Sequence, residues 1–332
     1  MCGIGGIVSI NNSVIDQKIS DDIKNSLNHR GPDHSLTKKI HPKCTFVHSR
    51  LAIIDLNSRS NQPFSSDDDK YHIVFNGEIY NYKELRKELE TKGHKFITNG
   101  DTEVLLQGYI EYEEKILNKL RGQFAFVIYD KITNELFMAR DRIGIKPLYY
   151  SVNDNWILFG SEIKAIELSK LIEFEPDIDS YLAYLRHLCV PADSTGNKNI
   201  KKLEPGQFIR IDKNGKISKK IYWDPFTFSV NHDLNEKNVV EELDRLLNES
   251  VEYRKVSDVE VGLFLSGGLD SSLLGKLMKQ NSDSSLKAFN VDFEENFEGY
   301  RGELKEARYA SNEIGINLNE EKINFDDFKE IF

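Results

Sequence analysis

The pattern of apolar residues changes once along this chain, near residue 212, and that change divides the folding problem in two. Before it, short strand-like runs recur at 4–10, 45–48, 72–75, 124–129, 135–139 and 156–159. Helical patterns open at Ser20-Asp21-Asp22 and run from Asn81, with Glu84 at the capping-box position, to a stop at Gly93. Many short strands with few helices imply layered sheets covered by helices. Residues 213–238 are polar and irregular, as a linker or boundary would be. After them come an amphipathic helix (Val240, Leu243, Leu246, Leu247, Val251), a nearly continuous apolar run at 259–265, a helix at 269–279 and a strand at 286–293. Strand, helix, strand in that order predicts an α/β unit with a parallel sheet and a buried first strand.

The chain has 332 residues, a length for about two domains. With 39% hydrophobic and 30% charged residues it reads as an ordinary soluble protein. A net charge of −10 argues against a large nucleic-acid footprint, and no apolar run is long enough to span a membrane. The cysteines Cys2, Cys44 and Cys189 fit neither a disulfide framework nor a zinc pattern. They suit a cytoplasmic protein, with Cys44 and Cys189 expected as buried small apolar residues.

Cys2 is different. If Met1 is removed, its thiol shares a residue with the α-amine of the chain, and such an amine can act as a general base. Their ordinary pKa values, about 8.5 and about 7.7–8.0, lie close enough to share a proton near neutrality. On Met-Cys alone, a small residue after the start Met is the simpler reading.

A second motif, Ser266-Gly267-Gly268-Leu269-Asp270-Ser271-Ser272, lies between the apolar run and its helix. Two glycines allow a sharp turn and close approach, and the helix start offers N–H groups to an anion. Ser266, Ser271 and Ser272 add hydroxyls, and Asp270 makes sense if it holds Mg²⁺ on a phosphate. The competing reading is an ordinary strand-to-helix turn. No Gly-Lys-Ser/Thr follows, so this is not the lysine-containing phosphate loop.

Together these motifs resemble the glutamine-hydrolysing asparagine synthetases. Cys2-Gly3-Ile4 is similar to the start of a class II glutamine amidotransferase domain. The Ser266–Ser272 string is similar to the pyrophosphate loop of ATP pyrophosphatases. The resemblance runs on through His29–Asp33, Arg50–Asp55, Phe75–Asn81, Asp101–Glu103, Gly122–Phe126, Arg140–Tyr150 and Ser161–Ala165. It implies an α+β N-terminal-nucleophile hydrolase sandwich (αββα) at 2–212, a linker at 213–235 and an incomplete α/β parallel-sheet ATP-pyrophosphatase domain at 236–332.

The resemblance also implies roles. Cys2 would attack the side-chain amide of glutamine, with Asn76 and Gly77 forming the oxyanion hole. Arg50 would clamp the α-carboxylate, and Glu78 and Asp101 would hold the α-ammonium. ATP contacts would lie at Leu265, Ser266, Gly267, Gly268, Asp270, Ser271 and Val291, with Mg²⁺ at Asp270. Each residue has a plainer alternative: a helix cap for Asp101, a hairpin turn for Asn76-Gly77, a surface ion pair for Arg50, core packing for Leu265 and Val291. The other matched strings read as scaffold or tunnel wall.

The implied activity is ATP-dependent synthesis of asparagine from aspartate, with glutamine as the ammonia donor. The alternatives are amidation of another carboxylate, glutaminase activity alone, a class II amidotransferase of aminosugar or phosphoribosylamine synthesis, or a non-catalytic fragment that binds glutamine or a full-length partner. The phosphate loop argues against the sugar and phosphoribosyl options. The oligomeric state stays open, a homodimer being one option. The later Ser-Gly-x-Gly-x-Asp-Glu string of the family is absent, and Leu318 stands where the family has a His after the helix at 303–315. The sequence therefore reads as the N-terminal portion of a larger enzyme, expected to hydrolyse glutamine but not to make asparagine alone.

Overall fold

The computed structural model describes residues 1–229, 235–280, 286–293, 302–324 and 326. The chain divides into two compact units, Met1–Val230 and Asn231–Phe332.

The strands of the first unit are β1 (Gly3–Ser9), β2 (His34–His41), β3 (Cys44–Arg50), β4 (Phe64–Ser65), β5 (Tyr71–Ile79), β6 (Gly122–Asp130), β7 (Glu135–Arg140), β8 (Tyr149–Val152), β9 (Trp156–Gly160), β10 (Lys201–Lys202), β11 (Gln207–Ile211) and β12 (Ile217–Ile221). They form two antiparallel sheets, ordered β10-β8-β9-β1-β3-β2 and β12-β11-β7-β6-β5-β4. The helices are α1 (Gln17–Ser26), α2 (Tyr82–Thr91), α3 (Asp101–Tyr112), α4 (Ile116–Lys119), α5 (Ile163–Glu167) and α6 (Ile178–His187).

The alternation of β1 explains the layering. Ile4 and Val8 point between the sheets, where they join Phe46, Val74, Val127, Tyr129, Met138 and Phe159. Ile7 points the other way, into a second cluster with Ile23 and Leu27 near α1 and Ala165 and Ile166 of α5. A strand buried on both faces reads as a continuous apolar run, which is how residues 4–8 read. On the far side, Tyr109 of α3 lies 5.8 Å from the ring of Tyr71 and 4.9 Å from that of Phe137. The result is the expected αββα sandwich.

Several local expectations need correction. α1 starts at Gln17, because the Asp16 carboxylate accepts from Lys18 N–H at 2.9 Å and caps the helix earlier than Ser20. Asn81 stands at the N-cap of α2 as expected, but its side chain makes no capping bond; its amide instead bonds Lys119 O and Arg121 N–H just before β6. Cys44 is buried as expected, but Cys189 is exposed. The segment expected as a linker from 213 holds β12, which pairs with β11 from Gln207↔Ile221 to Ile211↔Ile217. Its side chains are exposed, so it carries no apolar alternation to betray a strand. Asn231-His232-Asp233 lie outside the described residues.

In the second unit, β13 (Gly262–Phe264), β14 (Lys287–Phe293) and β15 (Asn317–Ile323) form a parallel sheet in that order. The helices are α7 (Glu236–Arg254), α8 (Leu269–Gln280) and α9 (Leu304–Ile314). Leu263, Leu265, Ala288, Ala310 and Ile316 form the core. The run at 259–265 is only half what it promised: Leu263 and Leu265 are buried, but Val259, Val261 and Phe264 are exposed. β15 was not foreseen, its residues being largely polar.

Phe46 is fully buried, with ring centroids 5.2 Å from Phe159 and 6.3 Å from Tyr129. Phe46→Ala should destabilise the first unit by about 3–5 kcal/mol, measured by urea unfolding.

Candidate functional site

β1 pairs with β3 from Gly3↔Ser49 onward, and this register puts Cys2 beside Arg50 and Leu51. The Cys2 thiol lies 3.6 Å from Leu51 O and accepts from Leu51 N–H at 3.4 Å. Arg30 fixes the residue further: its Nε donates to Cys2 O at 3.0 Å, while its Nη1 pairs with Glu162 at 2.9 Å. Burial pushes the Cys2 thiol pKa up, partly offset by the Leu51 backbone bond. The α-amine, here on Met1, is pushed down by burial, with Arg30 and Lys146 adding to the effect.

β5 supplies Asn76, Gly77 and Glu78. These residues sit inside a paired strand, not in a hairpin turn, with Asn76↔Ala125 and Gly77↔Phe124. Asn76 is buried and its Nδ2 has no hydrogen-bond partner among the described residues. A buried amide donor left unsatisfied is costly, and it stands ready for an incoming acceptor. Gly77 is required by space: a Cβ there would lie 2.2 Å from Gln123 O and 2.7 Å from Phe124 Cα.

Asp101 opens α3, but it does not act as the cap, which is Gly100. Its Oδ2 accepts from Ile79 N–H at 2.9 Å. Burial is the main reason its pKa is pushed up to about 7; the Ile79 bond opposes this and the Glu78 charge adds to it. Burial also raises Glu78, with Lys146 and the terminal amine pulling it back. Neither carboxylate has an ion pair among the described residues, so the pair calls for a cation.

Arg50 is buried and is no surface ion pair. Its Nη1 donates to Asn57 O at 3.1 Å and Asn61 Oδ1 at 2.7 Å. Its Nη2 donates to Ile54 O at 3.3 Å and Asp55 O at 2.5 Å. The guanidinium thus holds the 54–61 loop, and the two-pronged carboxylate clamp expected of it is already engaged by carbonyls. Lys146 is the cation that sequence reasoning passed over. Its N–H donates to Asp141 Oδ2 at 3.0 Å and its carbonyl accepts from Arg140 Nε at 2.7 Å, so its backbone is clamped from both sides. Its ammonium makes no hydrogen bond or ion pair among the described residues, and burial lowers its pKa. The signal was a lysine inside an otherwise structural string, and nothing local separates it from a surface lysine.

Cys2, Arg50, Asn76, Gly77, Glu78 and Asp101 all line one cavity of about 160 Å³, together with Met1, Gln62, Thr102 and Lys146. Every residue singled out for glutamine is there. The arrangement joins a thiol, an amide donor and two carboxylates that make no ion pair among the described residues, which suits a small zwitterion with a side-chain carbonyl.

In the second unit, Ser266, Gly267 and Gly268 follow β13 and lead into α8. Ser266 Oγ and Ser271 Oγ lie 2.9 Å apart, and Gly268 N–H donates to Ser266 Oγ at 3.3 Å. Gly267 has φ +81, and a Cβ there would lie 2.3 Å from Glu306 C, so glycine is needed for both reasons. Leu265 is buried at the end of β13, whereas Val291 is half exposed on the opposite face of β14. Asp270 is exposed in the first turn of α8. No cluster of three His, Cys, Asp or Glu that could hold a metal occurs among the described residues.

Residues 1–223 match the family model for the glutamine amidotransferase domain. The chain belongs to the glutamine amidotransferase family. Residues 242–332 match the model for asparagine synthase, so the resemblance drawn from the sequence holds in both units. Asparagine synthetase [glutamine-hydrolyzing] 1 of Bacillus subtilis is 38% identical, over 95% of this chain and 49% of that protein. Asparagine synthetase [glutamine-hydrolyzing] 3 of the same organism is 37% identical, over 89% and 49%. The chain spans about half the length of these curated relatives. Among solved structures, the glutamine phosphoribosylpyrophosphate amidotransferase from B. subtilis matches with a TM-score of 0.50 and 19% identity, over 96% of this chain and 65% of that one. At that identity the likeness is one of fold. No helix among the described residues is long and apolar enough to cross a membrane.

The raised Asp101 pKa makes a stability prediction for this amidotransferase unit. A carboxyl whose folded pKa lies above its ordinary value of about 3.9 supports folding at low pH and loses that support as pH rises through about 7. Asp101→Asn should raise the melting temperature, by more at about pH 8 than at about pH 5. Equal gains at both pH values would show that the buried charge is not the cause.

Proposed function

We propose that this chain carries the glutaminase unit and the first part of the synthetase unit of a glutamine-dependent asparagine synthase. Cys2 attacks the side-chain amide carbon of glutamine. Once Met1 is removed, the α-amine of Cys2 takes the thiol proton and returns it to the leaving ammonia. The oxyanion receives hydrogen bonds from Asn76 Nδ2 and Gly77 N–H, and water then hydrolyses the thioester to glutamate. Glu78 and Asp101 receive the α-ammonium. Arg50 meets the α-carboxylate through its remaining donor and by charge, while its other donors shape the loop around the ligand. The observation that carries this reading is the buried Asn76 Nδ2, without a partner among the described residues, in the cavity that holds the Cys2 thiol.

Ammonia is then used to amidate aspartate, activated as an acyl-adenylate with ATP. The nucleotide would bind at Leu265, Ser266, Gly267, Gly268, Asp270, Ser271 and Val291, beyond the carboxyl ends of parallel strands and at a helix N-terminus. Asp270 fits Mg²⁺, which commonly takes one or two carboxylates and completes its shell with phosphates and water. The metal would neutralise phosphate charge there. The matches to asparagine synthase and its Bacillus relatives support this half of the reading.

Glutamine hydrolysis in the Cys2→Ala variant should be lost. Asn76→Ala should lower kcat by about 10²–10³, with glutamine binding little changed. Full turnover by Cys2→Ala would end the nucleophile assignment. A mass spectrum of the active protein should show Cys2 as its first residue. For the second unit, Asp270→Asn should reduce ATP affinity in Mg²⁺ to the level the parent shows with EDTA; an unchanged Mg²⁺ dependence would remove Asp270 from the site.

A further inference from the structure

Gln62 lines the same cavity, is buried, and has no part in the chemistry above. Both ends of its amide are engaged, and by different elements. Its Oε1 accepts from Phe75 N–H at 2.6 Å, and its Nε2 donates to Thr102 Oγ1 at 3.2 Å. Phe75 immediately precedes Asn76 on β5, and Thr102 immediately follows Asp101 on α3. The side chain therefore ties the strand that bears the unpartnered donor to the helix that bears the buried carboxylate.

A second tie joins the same two elements at the other end of the segment, from Ile79 N–H to Asp101 Oδ2 at 2.9 Å. One tie leaves a pivot, whereas two fix the relative placement of Asn76, Glu78 and Asp101. Across the sandwich, His48 Nε2 lies 3.3 Å from Phe75 O, so the residue before Asn76 is held at both its N–H and its carbonyl.

We propose that Gln62 is a positioning residue of the glutaminase site, holding the Asn76 donor at a set distance from the carboxylates that anchor the substrate ammonium. The inference rests on the glutaminase reading given above. A substrate held by its α-ammonium presents its side-chain carbonyl at one place, and the donor must be there too. A misplacement of about 1 Å can lower a rate by about a hundredfold. An amide suits the task because one end accepts and the other donates while neither carries charge.

The test uses the full chain. Gln62→Met keeps the volume and removes both bonds. It should lower kcat for glutamine hydrolysis by about 10–100-fold, while the Kd for glutamine, measured on a Cys2→Ala background, stays near the parent value. Gln62→Glu keeps an acceptor for Phe75 N–H, and the Thr102 hydroxyl can turn to donate to it. This variant should recover most of the lost kcat. Thr102→Val breaks the far end alone, and adding it to Gln62→Met should cost nothing further. Parental kcat in Gln62→Met overturns the proposal. So do equal losses in Gln62→Met and Gln62→Glu that track a fall in melting temperature, which would mark a merely structural residue. Turnover that survives Cys2→Ala would instead sink the glutaminase reading, so the two failures are told apart.

Discussion

The packing of β3 against β5 across the sandwich is the constraint on which the candidate site depends. β3, through its pairing with β1, delivers the Cys2 thiol from one sheet. β5 delivers Asn76, Gly77 and Glu78 from the other. The contact between the layers is filled by Phe46, Val74, Phe159 and their neighbours, and bridged by His48 on the Phe75 carbonyl. His48 is fully buried and its pKa is lowered to about 3 by that burial, so it stays neutral and bridges without adding charge. Close packing of this kind is stiff, which is what a site needs when its nucleophile and its hydrogen-bond donor lie on different sheets.

Around that junction the chain accepts features that work against stability. Asn76 Nδ2 is buried without a partner, Asp101 is a carboxyl forced toward neutrality, and the Lys146 ammonium has no bonded partner among the described residues. Elsewhere in the unit some buried polar atoms also lack a partner among the described residues, such as Ser20 Oγ, Thr37 Oγ1 and Asn197 Nδ2, but the buried carboxylates are well satisfied. The Asp141 carboxylate takes the N–H groups of Phe124, Ile143, Ile145 and Lys146, and Glu103 takes those of Ile97 and Thr98. Asn76, Asp101 and Lys146 line one cavity, and local violations gathered in this way mark sites where ligands complete the structure.

Much of the fold was legible because its strands alternate against two cores. Residues 4–10, 72–75, 124–129 and 135–139 announce themselves through apolar content and are all strands. What escaped was polar or locally ambiguous: β12 and β15 carry few buried side chains, and the caps at Asp16 and Gly100 depend on which backbone groups lie within reach. The glutamine-site residues were found through their ordered resemblance to a family, not through spacing. Gln62 was missed because its partners lie 13 and 40 residues away, and Lys146 because its part is a place in the shared cavity wall.

The two-unit plan, the glycines at 77 and 267 and the thiol at the second position can be read from the residues alone. Those follow from composition, periodicity and residue type, which are local properties. Only the tertiary structure decided that Arg50 spends most of its donors on its own loop, that Asn76 keeps one donor open, and that Asp101 is held near neutrality. Each of those depends on how much water and how many competing partners surround a group, and both are set when distant strands pack together.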